Sequence, residues 1–111
     1  MSYYTFANLQ YLDGETIDLS ELNGDLLKLL DENGLHHDVS KDMANLFSKG
    51  EAFFNLYGGS AILEHLLRWV STQRPFVVFG VQGRGEELRD VWVREFQGGA
   101  VQFEQGPFVD E

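Results

Sequence analysis

Residues 60–104, SAILEHLLRWVSTQRPFVVFGVQGRGEELRDVWVREFQGGAVQFE, decide the fold. Ile62, Leu63, Leu66, Leu67, Trp69 and Val70 recur at helical spacing and define one apolar face, with Glu64, His65, Arg68, Ser71 and Thr72 on the other. Ser60 is a good N-cap, because its hydroxyl accepts from a free N–H of the first turn. Pro75 ends the helix, since it disfavours helical geometry at Arg74 and brings no N–H of its own. Residues 76–82 are rich in β-branched and aromatic side chains and predict a strand. Gly83, Arg84 and Gly85 supply a turn. Residues 89–96 form the next strand, with Trp92 and Phe96 on one parity and Val91 and Val93 on the other. Gly98-Gly99 is a two-residue hairpin signal, and residues 100–104 complete a three-stranded antiparallel meander.

Upstream, residues 2–12 predict a strand ending at Asp13-Gly14. Apolar residues on both parities place it centrally or bury it on two sides. Asp18 and Glu21 have capping-box spacing, and Leu19, Leu22, Leu26, Leu29 and Leu30 share one helical face. Gly24 weakens this helix by about 1 kcal/mol relative to alanine, which allows a kink or a start at Asp25. Gly34 follows Asn33 as the natural C-cap. Ser40 caps a second helix through Phe47, ended near Gly50, and residues 51–57 form a short extended piece before Gly58-Gly59. The order predicts a single α+β domain, with two to three helices on one face of a mostly antiparallel four- to five-stranded sheet. Residues 105–111 form a loose tail.

The 111 residues suffice for a core without staples, and the absence of cysteine excludes disulfides and thiolate metal sites. The first residues, MSYYTFANLQ, carry no signal-peptide pattern, and no apolar run approaches the ~20 residues of a membrane span. A cytoplasmic protein is the expectation. Eight basic and 18 acidic residues give a net charge of −10. That argues against direct nucleic-acid binding, which needs basic surface to neutralise phosphates; the acidity serves solubility on one reading and a basic protein partner, reached by electrostatic steering, on the other.

The charge is uneven. Residues 1–67 carry 11 acids and 3 lysines, a net of −8, while residues 68–111 carry 7 acids and 5 arginines, a net of −2. Residues 13–42 alone hold 9 acids and 2 lysines, a net of −7. On one continuous helix, Asp18, Glu21, Asp25 and Glu32 would fall within about 60° and form a stripe beside the leucine face.

No constellation carries catalysis. His36-His37-Asp38 lacks the converging third and fourth ligands of a metal site. Gly80, Gly83 and Gly85 do not complete GxGxxG, because Leu88 stands at the last position and the loop leads into a strand. No serine lies in a nucleophile elbow, and Glu86-Glu87 fall in a turn. The expectation is therefore no enzyme, no metal and no cofactor. Periodicity assigns Trp69, Phe76, Phe79, Trp92, Phe96 and Phe103 mostly to the core. Tyr3, Tyr4, Phe53, Phe54 and Phe108 are the alternative set for an exposed interface anchor.

The run EHLLRWVSTQRPFVVFGVQGRGEELRDVWVREFQGGAVQ resembles the C-terminal part of small accessory proteins carried by phages, plasmids and other mobile elements. The shared pattern is a helix, Pro75, a strand, the Gly83 to Glu87 turn, then Asp90, Trp92, Phe96 and Gly98. It covers about a third of the chain and consists of core and turn residues. The resemblance implies an accessory protein of a mobile element, a group rich in small acidic inhibitors of host defence such as anti-CRISPR proteins. The leading expectation is a binding protein that occludes a basic, nucleic-acid-binding surface on a defence protein. Its contacts would be Asp13, Glu15, Asp18, Glu21, Asp25, Asp31 and Glu32, standing in for phosphates. The alternatives are an immunity protein plugging a toxin, and a homodimeric module joined through a strand edge or the aromatics near Phe53.

Overall fold

Alternation along the strands sorts their side chains into a covered and an uncovered layer. Strand β1, Tyr3–Tyr11, buries Thr5, Ala7 and Leu9, so Tyr4, Phe6, Asn8 and Gln10 point to the opposite face. Strand β2, Glu51–Leu56, buries Ala52, Phe54 and Leu56. Strands β3, Phe79–Gly85, and β4, Val91–Gln97, bury Phe79, Val81, Trp92, Arg94 and Phe96, and β5, Ala100–Gln105, is largely exposed. This computed structural model describes residues 3–56, 60–86 and 90–106, apart from the side chains of Tyr3 and Ser60.

The five strands lie in the order β2-β1-β3-β4-β5, and every neighbouring pair is antiparallel. Strands β2 and β3 flank β1 and therefore run parallel to each other. Helix α3, Ser60–Gln73, makes the crossover between them that parallel strands require. A 3₁₀ turn, Leu19–Leu22, leads into α1, Asn23–Glu32, and α2, Val39–Lys49, follows. Leu26 and Leu30 of α1, Met43, Leu46 and Phe47 of α2, and Leu63, Leu66, Leu67 and Val70 of α3 join the inward strand residues in one core. The result is the expected α+β sandwich with its C-terminal meander.

Local turn chemistry moves several boundaries. Val77 N–H donates to the Arg74 carbonyl at 3.1 Å, which closes a turn with Pro75 and Phe76 at its tip. Phe76 is therefore 86% exposed, outside both strand and core, and β3 starts at Phe79. At its far end β3 runs through the glycines expected to form a turn, because Gly83 and Gly85 pair with Ala7 and Thr5 of β1. Glycine is needed at 83 for packing, since a Cβ there would overlap the indole of Trp92. Gly98 and Gly99, at φ +61° and +83°, make the expected hairpin between β4 and β5.

Two aromatics change sides. Phe54 is buried by the alternation of β2, so it is no interface anchor, whereas Phe53 is 65% exposed. A register shift between Glu95 and Phe96 sets Phe103 opposite Glu95, on the uncovered face and outside the core. The Ser60 cap, the anchor roles of Tyr3 and Phe108, and the tail beyond Gly106 lie outside the described residues.

Arg94 is the one large charged side chain in the described core, at 2% exposure. Its Nε sits 2.9 Å from Glu64 Oε1 on α3 and 3.6 Å from Glu104 Oε1 on β5. Its Nη1 donates to the carbonyls of Val93 and Gln105, and its Nη2 to that of Gly106. The guanidinium thereby ties the end of β5 to helix α3.

Candidate functional site

The acid-rich segment is tethered to the sheet by Tyr11. Its hydroxyl donates to the Phe47 carbonyl at 2.7 Å and accepts from the Ile17 N–H at 3.2 Å, joining β1, the loop after it and the end of α2. Burial pushes the Tyr11 pKa upward, although the Ile17 backbone contact opposes this. The loop then carries Asp13, whose Oδ1 accepts from the Glu15 N–H at 3.1 Å, and both side chains face solvent.

Asp18 caps the 3₁₀ turn. Its Oδ1 accepts from the Ser20 hydroxyl at 2.7 Å and from the Ser20 N–H at 3.1 Å. Those bonds hold its carboxyl below the usual carboxylate range, the hydroxyl contact contributing most. Glu21 does not complete a capping box; its Oε1 meets Arg74 Nη2 at 3.0 Å, which fastens the turn to the end of α3. The expected single stripe from Asp18 to Glu32 is also broken. Leu22, at φ −112° and ψ 8°, separates the 3₁₀ turn from an α-helix that begins at Asn23, so helical phase is not carried across.

Within α1 the phase is regular. Asp25 and Glu32, two turns apart, lie about 20° from each other, with Lys28 and Asp31 on the same outward side and Leu26 and Leu30 buried opposite. Asp25 and Glu32 make no ion pair among the described residues. Asp31 Oδ1 sits 2.7 Å from His37 Nε2, and His36 accepts the Asp38 N–H through Nδ1. The Ser40 hydroxyl donates backward to the His37 carbonyl, so Asp38 rather than Ser40 is the N-cap of α2.

All seven candidate acids are therefore exposed, and the structure distributes them over a loop, a turn and one helix. Asp25 and Glu32 share one helical stripe; Asp13, Glu15, Asp18 and Glu21 precede it on a separately oriented segment. Chemically the segment offers ionised carboxylates as hydrogen-bond acceptors for cationic side chains. No group of three or more histidine, aspartate or glutamate side chains is placed to hold a metal among the described residues. Sequence spacing did not reveal Tyr11, Arg74 or Arg94 as anchors, since each meets a partner distant in the chain. The aromatic alternation of β1 was the one available signal for Tyr11.

No family model, curated protein or solved structure matches this chain. No helix among the described residues is long and apolar enough to cross a membrane.

Proposed function

We propose that this chain is a non-enzymatic binding protein whose residues 13–42 dock on a basic surface of another protein. The observation that carries the proposal is the stretch of nine acids against two lysines, all the acids but Asp42 facing solvent, with Asp25 and Glu32 on one stripe of α1 and without an ion pair among the described residues. Carboxylates so displayed match guanidinium and ammonium groups that would otherwise hold phosphates. With the mobile-element resemblance of residues 64–102, the concrete form is an anti-defence inhibitor in the bacterial cytoplasm. It would cover the nucleic-acid-binding surface of a host defence protein without touching nucleic acid itself.

The test is an affinity pull-down from bacterial lysate at about 0.05 M and about 0.5 M salt, where screening length shrinks several-fold. Capture of a basic nucleic-acid-binding protein at low salt, lost at high salt, supports the proposal. Capture of a single toxin at both salts would replace it with an immunity function, and capture of nothing basic would end it.

A further inference from the structure

The two edges of the sheet are built differently. An open sheet leaves a row of unpaired backbone groups along each edge strand, and proteins block such rows with bulges, charges, proline or a covering segment. On β5 the row is broken: the register shifts between Glu95 and Phe96, and Gln102, Glu104 and Gln105 are exposed along the strand. Strand β2, with the sequence EAFFNL, pairs with β1 without a shift and holds no proline, lysine or arginine.

The hydrogen bond from the Leu9 N–H to the Gly50 carbonyl, 2.8 Å long, fixes which groups of β2 face outward. Bonded and non-bonded pairs alternate along an antiparallel ladder. Ala52 and Phe54 therefore bond to Ala7 and Thr5, whereas the N–H and C=O groups of Glu51, Phe53 and Asn55 point away from β1. None of these outward groups has a hydrogen-bond partner among the described residues.

We propose that a second copy of this chain pairs there, β2 against β2 and antiparallel, about a two-fold axis through Phe53. In this register every outward group is matched: Phe53 exchanges bonds with its own copy, and Glu51 with Asn55. Moving the axis by one residue either way sets an outward residue opposite a position beyond β2. The side chains agree. On the core side Ala52 falls opposite Phe54, small against large. On the other side the exposed Phe53 meets its own copy, and Glu51 faces an amide rather than a carboxylate.

Helix α2, which packs on β2 and β1, selects a second copy independently. Its Ser40, Ala44 and Ser48 line a cleft with the 3₁₀ turn, and that turn reaches the end of α3 through Glu21 and Arg74, so this side of α2 faces the middle of the sheet. Asp42 and Lys49, two turns apart and about 150° round the helix from Ala44, face the β2 edge. Neither makes an ion pair among the described residues. At about 3.3 Å per strand residue and 1.5 Å per helix residue, an axis through Phe53 passes α2 near Met43 and Ala44. The two α2 helices then lie antiparallel, and each Lys49 comes beside the second copy's Asp38 and Asp42. Both contacts recur by symmetry, as an isologous interface requires. An unrelated extended segment would match the backbone groups but not these charges. Because β5 is blocked, pairing closes at two copies instead of growing into a fibre.

Sedimentation velocity on the full chain, from micromolar to millimolar concentration, tests the dimer. The expected result is a concentration-dependent shift to twice the 12.6 kDa chain mass. Phe53→Lys, at an exposed position that leaves the core untouched, sets two ammonium groups opposite each other and should abolish it. Lys49→Asp should weaken association about tenfold, and adding Asp42→Lys should restore it, since the swap recreates both pairs. Amide hydrogen exchange at Glu51, Phe53 and Asn55 should slow as the dimer forms. A strict monomer at millimolar concentration would overturn the proposal. So would a dimer indifferent to Phe53→Lys, a double swap no better than Lys49→Asp alone, or unchanged exchange at those three amides. Self-association is read without any other protein, so the outcome is independent of the acidic docking surface.

Discussion

Replacing Arg94 by methionine should reveal how strongly the C-terminal strand depends on one buried charge. The guanidinium is almost wholly buried against Glu64, whose side chain is 21% exposed, and it also holds the carbonyls of Gln105 and Gly106. Removing one partner of a buried ion pair costs about 3–5 kcal/mol, because the remaining charge is left uncompensated. Here two features favour the lower end. Glu64 retains Arg68 at 3.8 Å, and the carbonyls of the exposed residues 105 and 106 can take water instead. The expected loss is therefore about 3 kcal/mol, or roughly 12 °C in Tm for a chain of this size. Urea unfolding followed by tryptophan fluorescence measures it, since Trp92 lies two residues away on the same buried face. The double variant Arg94→Met with Glu64→Leu should recover most of the loss, because the orphaned carboxylate goes with its partner. A single variant within about 1 kcal/mol of wild type, or a double variant worse than the sum of the singles, would refute this view of Arg94 as a paired, buried tie.

Two further substitutions probe the scaffold. Gly83→Ala should destabilise by about 3 kcal/mol, because its methyl would overlap the Trp92 ring, while Gly24→Ala, in open space on α1, should stabilise by about 0.5–1 kcal/mol; paired thermal melts separate the two. Asp42, half-buried and near Asp38, has its pKa raised above 3.8, first by burial and then by that carboxylate. The folded state then holds its proton more tightly than the unfolded chain, so this group's contribution to stability declines as pH rises from about 3.8 through the raised value. Asp42→Asn should accordingly stabilise at neutral pH, with the gain vanishing in acid, as stability curves against pH would show.

Periodicity made the architecture legible because the relevant signals are local. The leucine face of α3, the parity of Trp92 and Phe96, and the Gly98-Gly99 hairpin are each set by near neighbours and found in place, whereas Ser71, expected on the polar side of α3, is buried, its hydroxyl accepting from the Gly99 N–H at 2.9 Å. Errors arose where distant packing overrides local preference. Gly83 resembles a turn residue until Trp92 is laid across it. Phe76 looks like strand until the Arg74–Val77 hydrogen bond turns the chain beneath it. Phe103 looks like core until a register shift in β5 sends it outward. The candidate acids were visible as composition, but their arrangement was not. A continuous stripe assumes one helix, and the 3₁₀ turn at Leu19–Leu22 divides it. Arg74 and Tyr11 fasten that segment through contacts 53 and 36 residues apart, which no spacing rule encodes.

The most direct measurement is the affinity of the captured partner for the variant Asp25→Lys with Glu32→Lys, compared with the unaltered chain at low salt. Both side chains are exposed on one stripe of α1, so the change alters surface charge without disturbing the core. If residues 13–42 dock on a basic surface, dissociation should quicken and affinity fall by about a hundredfold, or roughly 3 kcal/mol for two reversed contacts. Unchanged affinity in a folded variant would contradict docking through this acidic segment.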